Sequence, residues 1–105
     1  MNTMQKMRRS NMKARKKLTE LGFTNIQMFP HTRWSKDIHL EEIGFDGFCY
    51  HNKGKDRRIC LFQVKSNQKP SKAVLRVLYN LSDAYSCICL WINCPDRKPV
   101  EVYGL

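Results

Sequence analysis

Two segments, Phe45-Asp46-Gly47-Phe48-Cys49-Tyr50-His51 and Arg58-Ile59-Cys60-Leu61-Phe62-Gln63-Val64-Lys65, decide the fold. Both read as strands, and Asn52-Lys53-Gly54-Lys55-Asp56 between them has turn chemistry, so a hairpin is expected. Centring it on that turn pairs residues whose numbers add to 109. Phe45, Gly47 and Cys49 then share an apolar face with Val64, Phe62 and Cys60. The other face sets Asp46, Phe48 and Tyr50 against Gln63, Leu61 and Ile59, with Lys65 at its end. It is apolar near the turn and polar at the far end, where Asp46, Gln63 and Lys65 converge.

Outward from the hairpin, Ser71–Leu81 after Pro70 has Val74, Leu75, Leu78 and Leu81 on one side of an expected amphipathic helix. Cys87–Ile92 is an apolar strand and Val100–Tyr103 a short last one. A strand, helix and strand in that succession imply a crossover and a parallel pair in a mixed sheet. Upstream, Asn11–Leu21 suits a helix with Met12, Arg15, Leu18 and Leu21 at helical spacing, and Gly22 stands where a C-cap belongs. Thr24–Phe29 has strand character and stops at Pro30, whereas 31–42 is polar and carries no clear period. The expected domain is α/β in the order αβββαββ over 11–105, with a central mixed sheet flanked by helices. Residues 1–10 form a basic, frayed or partly helical lead.

The 105 residues hold 19 Lys and Arg against 9 Asp and Glu, a net charge of +10. One domain is the expectation for this length, and a polyanion is the natural partner of such a field. No apolar run approaches the ~18 to 20 residues of a membrane helix, and the N-terminus lacks a signal-peptide pattern. No membrane partner is expected. The five cysteines, Cys49, Cys60, Cys87, Cys89 and Cys94, are odd in number and contain no CxxC pair. That favours buried free thiols in a reducing, cytoplasmic setting over a disulfide framework. A metal site joining Cys94 to His31, His39 or His51 would need ligands from distant segments and is the less favoured reading. None of the histidines is assigned a catalytic role.

Gln63 and Lys65, at i and i+2 of a strand, project to one side, and Asp46 is opposite Gln63. Asp46 as anion, the Gln63 amide oxygen and the Val64 carbonyl can hold a hard divalent cation. Lys65 can then orient a water or stabilise charge on a phosphate. The plainer reading is a strand-end acid beside a solvated strand face.

Asp46 followed 17 residues later by Gln63-Val64-Lys65, on adjacent strands in this element order, resembles the PD-(D/E)xK nuclease superfamily. That superfamily has a restriction-endonuclease-like fold, and the small size is similar to archaeal and viral Holliday-junction resolvases. Ser35-Lys36-Asp37 and Gly44-Phe45-Asp46 also resemble the resolvase segment that leads into the metal-binding Asp. The resemblance implies a Mg²⁺- or Mn²⁺-dependent endonuclease acting on DNA, including branched or junction DNA, with RNA also open as a partner. Junction cutting implies a homodimer with two sites. It also implies the cytoplasm as location, that of a host if the source is viral. Two departures stand out. Gln63 replaces the usual acid, and the first helix offers Asn11, Met12 and Lys13 where the family carries one. Asp37, Glu41, Glu42 and Glu20 are the candidates for the missing carboxylate. A non-catalytic nucleic-acid-binding module on the same fold, or a nuclease subunit that needs a partner chain, accommodates the same departures.

Thirteen of the 19 basic residues fall in three stretches, 6–17, 53–58 and 69–72. The expected phosphate-binding residues are Arg8, Arg9, Lys13, Arg15, Lys16 and Lys17, then Lys53, Lys55, Arg57 and Arg58, then Lys69 and Lys72 at a helix start. No base-reading motif is visible, so backbone recognition is expected. Trp34 is read equally as a stacking or a core residue, and Trp91 as core.

Overall fold

The chain runs α1 (Thr3–Glu20), β1 (Phe23–Met28), β2 (Ile38–Leu40), β3 (Ile43–Phe45), β4 (Gly47–Lys53), β5 (Asp56–Ser66), α2 (Lys72–Tyr85), β6 (Ile88–Cys94) and β7 (Glu101–Tyr103). This computed structural model describes residues 3–29, 38–40, 43–53 and 56–105, with side chains over 8–29, 43–51 and 57–105. Five strands form one mixed sheet in the order β1-β4-β5-β6-β7, and β2 with β3 forms a separate antiparallel pair. The domain is α/β, with α1 on one face of the sheet and α2 on the other.

The hairpin has the expected register. Gly47 pairs with Phe62, Cys49 with Cys60 and His51 with Arg58, all adding to 109. The crossover through α2 sets β6 parallel to β5, from Cys60 against Ile88 to Ser66 against Cys94. All seven residues of β6 are buried, as a strand covered on both faces requires. The Ser71 hydroxyl caps α2 by accepting the Val74 N–H at 3.1 Å, and Leu78 and Leu81 are buried as expected. The helix continues to Tyr85, beyond the expected Leu81, and closes on Ser86 in the left-handed region.

Four expectations needed revision. The strand expected over 45–51 is two strands, because Asp46 stands outside the ladder between β3 and β4. Phe45 therefore turns to the α2 side and packs with Leu78 and Leu81, away from Gly47 and Cys49. Second, α1 begins at Thr3, so the segment 1–10 is helical from its third residue. Third, its buried face is Ser10, Ala14 and Leu18, while Met12 is 72% exposed and Leu21 also reaches solvent. Small side chains at two of those three positions let the helix lie close on the sheet. Gly22, at φ +93°, ends the helix as expected. Fourth, the segment 31–42, left without an element, contains β2, and β3 follows directly. Three-residue strands are too short to show a period.

On the α1 side the core gathers Ala14, Leu18, Phe23, Ile26, Cys49, Cys60, Phe62, Ile88, Leu90, Ile92 and Cys94. On the α2 side it holds Ile43, Phe45, Leu78, Leu81, Cys87, Cys89 and Trp91. All five cysteines are buried and free. No helix among the described residues is long and apolar enough to cross a membrane.

Candidate functional site at the carboxyl ends of the central strands

Asp46 ties three segments together. Its N–H donates to the Phe62 carbonyl at 2.8 Å, and its carbonyl accepts the Phe29 N–H at 2.8 Å. Its carboxylate Oδ2 accepts the Val64 N–H at 2.6 Å. The chain has just left the ladder toward β3, so the side chain replaces the strand carbonyl that Val64 would otherwise meet. In a strand the N–H and C=O of one residue point to the same edge, so the Val64 carbonyl also faces the edge that Asp46 closes.

Gln63 and Lys65 flank Val64 and alternate onto the α2 face, beside Trp91 and Asn93 of β6. The Lys65 ammonium stands 5.8 Å from the centroid of the Trp91 ring, within cation–π range. Trp91 is itself core, as expected, and its indole N–H donates to the Gln68 carbonyl at 2.9 Å. The expected trio thus occupies the end of β5 where the ladder to β4 stops.

The neighbouring strands extend this polar end in a way the sequence reading missed. Asn93 is 2% exposed yet fully used: its Oδ1 accepts the Gln68 N–H and its Nδ2 donates to Glu101 Oε1, both at 2.9 Å. Hydrogen bonding from Asn93, aided by the charge of Lys69, holds the Glu101 carboxyl below the usual carboxylate range. Partial burial and the adjacent Glu101 push the Tyr103 hydroxyl the other way. A lone Asn in an otherwise apolar strand was the available signal.

The donor set fits a divalent cation only in part. Asp46, the Gln63 amide and the Val64 carbonyl offer one charge, and the described residues contain no group of three His, Cys, Asp or Glu side chains. Glu20 does not join Asp46. It lies with Lys98 and Pro99 near the β6–β7 turn, on the α1 side of the sheet. Glu101 is two strands from β5 and three from β4, about 10 and 14 Å at ~4.8 Å per strand, too far to share one ion with Asp46. Asp37, Glu41 and Glu42 lie outside the described residues. So do Trp34, His31 and the side chain of His39. Cys94 spends its thiol on the Ser10 carbonyl at 3.4 Å, and His51 packs on Phe23.

The basic residues divide. Arg8, Arg9 and Lys16 are exposed on α1, with Lys13 and Lys17 half-buried. Arg15 instead reaches the Ile26 carbonyl at 3.3 Å and braces β1. Arg57 and Arg58 are exposed at the hairpin tip, where they line a hollow with Tyr50 and Ile59; Lys55 and the side chain of Lys53 lie outside the described residues. Lys69 sits 4.0 Å from Glu101, and Lys72 is the exposed first residue of α2. No family model, curated protein or solved structure matches the chain.

Proposed function

We propose that the chain is a metal-dependent endonuclease with a restriction-endonuclease-like fold, hydrolysing phosphodiester bonds in DNA, with branched DNA as its preferred substrate class. The observation that carries this reading is the 2.6 Å contact between the Asp46 carboxylate and the Val64 N–H, which fixes an anion beside Gln63 and Lys65. Asp46, with the Gln63 amide oxygen and the Val64 carbonyl, would hold Mg²⁺ or Mn²⁺, which when bound supplies Lewis-acid polarisation of the phosphate. Lys65 orients the attacking water and opposes the negative charge that develops on the phosphoryl oxygens. With a single carboxylate, metal affinity is low until substrate phosphates complete the site. A junction substrate calls for two such sites, hence a homodimer.

The test is cleavage of labelled four-way junction, flap, linear DNA and RNA with Mg²⁺ or Mn²⁺. Wild type is expected to cut, and Asp46→Asn and Lys65→Met to fall at least ~100-fold while still binding. Binding without cleavage of any substrate by wild type would overturn the enzymatic reading. It would favour a non-catalytic nucleic-acid-binding module, or a subunit completed by a partner chain. One observation supports that second reading: the Asp46 carboxylate already serves as the acceptor that ends the β4–β5 ladder.

A further inference from the structure

We infer that the groove between α1 and the β6–β7 turn is a second phosphate track, in which Arg97 and Lys98 grip a nucleic-acid backbone together with Arg9, Lys13, Lys16 and Lys17. The inference rests on nucleic acid being the partner, not on the Asp46 site being active. Neither Arg97 nor Lys98 belongs to a basic run, and only the fold brings them to α1.

Two hollows make the groove. One is lined by Arg9, Lys13, Asp96 and Arg97 over Ser10, Ser66 and Cys94. The next is lined by Lys13, Lys16, Lys17, Glu20 and Lys98. Lys13 borders both, so the two hollows adjoin at its side chain. Positions 9, 13, 16 and 17 fall on one side of a helix and span about 12 Å of its axis, the rise of three to four nucleotides in one strand. Six cations therefore face two acids. Of those acids, Asp96 is engaged by Asn67, whose Nδ2 donates to Asp96 Oδ2 at 3.1 Å. Among the described residues, no ion pair within 4.0 Å occupies any of the six cations.

The turn is held in place. The Asp96 N–H donates to Asn67 Oδ1 at 2.8 Å, completing a two-way clamp, and the Asn67 N–H donates to the Cys94 carbonyl at 3.3 Å. Arg97 has φ +57° in this clamped turn, and the adjacent Arg97 and Lys98 are both exposed beside α1. The floor is polar: the Ser10 and Ser66 hydroxyls meet at 2.5 Å where helix and sheet touch. Ser66 directly follows Lys65, so the two side chains point to opposite faces of the sheet: the groove lies on the α1 face, and Gln63 and Lys65 stand on the α2 face. Charge complementarity commits the occupant to a phosphodiester backbone.

The experiment measures binding of fluorescent duplex DNA, single-stranded DNA and single-stranded RNA by anisotropy across a salt series, which separates the backbone sources. The variants are Arg97→Asn/Lys98→Gln, Lys98→Gln alone, and the exposed control Arg76→Gln on α2. Asn tolerates the left-handed backbone at 97, and a melting curve reports the fold of each variant. Removing two phosphate contacts is expected to lower the slope of log K against log salt by about 1.8 on duplex DNA and about 1.4 on single strands, and the single variant by half as much. At 50 mM salt the double variant should bind at least 10-fold more weakly, with Arg76→Gln within 2-fold of wild type. Unchanged slopes in both turn variants would overturn the inference, as would losses per charge no larger than the control's. So would wild type that binds polyglutamate but none of the nucleic acids. Intact binding effects with no cleavage would sink the proposed enzyme alone.

Discussion

Asp46 accepts the backbone N–H of Val64 on its carboxylate at 2.6 Å, across the gap left where the chain turns away from the ladder. One side chain is thus both the end-stop of a hairpin and the anion beside Gln63 and Lys65. The two duties separate by mutation. Asp46→Asn keeps an oxygen that can accept from Val64, whereas Asp46→Ala leaves that N–H orphaned at a cost of ~1 to 3 kcal/mol. Both should abolish cleavage, but only the alanine variant should lose most of that stability in a urea titration. Equal stability of the two variants would show that the carboxylate does not serve the ladder.

Gly47, the next residue, is a packing requirement. A Cβ there would collide with the Gln27 backbone carbonyl and the buried Phe62 ring. A strand backbone and a core ring cannot both yield, so Gly47→Ala should destabilise by about 1 to 3 kcal/mol or more. The readout is the urea midpoint, and an unshifted midpoint would refute the close approach of β1 to β4.

The five buried thiols should be unreactive in the native protein. Hydrogen bonding with the paired Cys49 sulfur and burial push the Cys60 thiol far up, and the same contact draws Cys49 down. Burial, with Cys87 beside it, pushes Cys89 up to about 12, and burial raises Cys94. At pH 8 Ellman's reagent should find no fast-reacting thiol before unfolding and five in guanidinium. A rapid native burst would contradict the closed packing of the core on the two faces of the sheet.

Glu101 should leave a pH signature. Its folded carboxyl lies below the ordinary value of 4.5, so its stabilising contribution is present above that value. The contribution is lost as pH falls through the lower folded value. Relative to Glu101→Gln, wild type should therefore melt higher above about pH 5, and the gap should close on further acidification. Melting temperatures from pH 3 to 6 would test this, and a gap that does not change with pH would contradict it.

Much of the fold was legible because the turn residues 52–56 fix the hairpin register and the apolar crossover leaves one arrangement for β5 and β6. The face of α1 was not legible. Close helix approach selects Ser10 and Ala14 for size, so hydrophobicity pointed instead to Met12 and Leu21. In β1, Asn25 at φ +52° and a register shift between Thr24 and Gln27 put Phe23 and Ile26 on one face three residues apart, which breaks the strand period. Phe45 changed faces because the break at Asp46 interrupts the alternation. At the site, the side-by-side placement of Gln63 and Lys65 follows from the strand period, whereas the break that carries the Asp46 carboxylate to the Val64 N–H does not. Glu101 and Arg97 could not be read that way, since Asn93 holds Glu101 and Asn67 clamps Asp96, the residue before Arg97, from outside any local pattern.

The hydrogen bond from the Cys94 thiol to the Ser10 carbonyl joins residues 84 apart in sequence, against nine for the Tyr50–Ile59 pair across the β4–β5 hairpin. Local pairings form before such distant ones because they sacrifice less chain entropy. The β4–β5 hairpin is therefore expected to gain amide protection early and the docking of α1 on β6 late, which pulse-labelled hydrogen exchange can order in time. Until β6 and β7 are in place, α1 carries its charges without the Asp96–Lys98 turn that faces them, so the groove comes into being only with the completed tertiary structure.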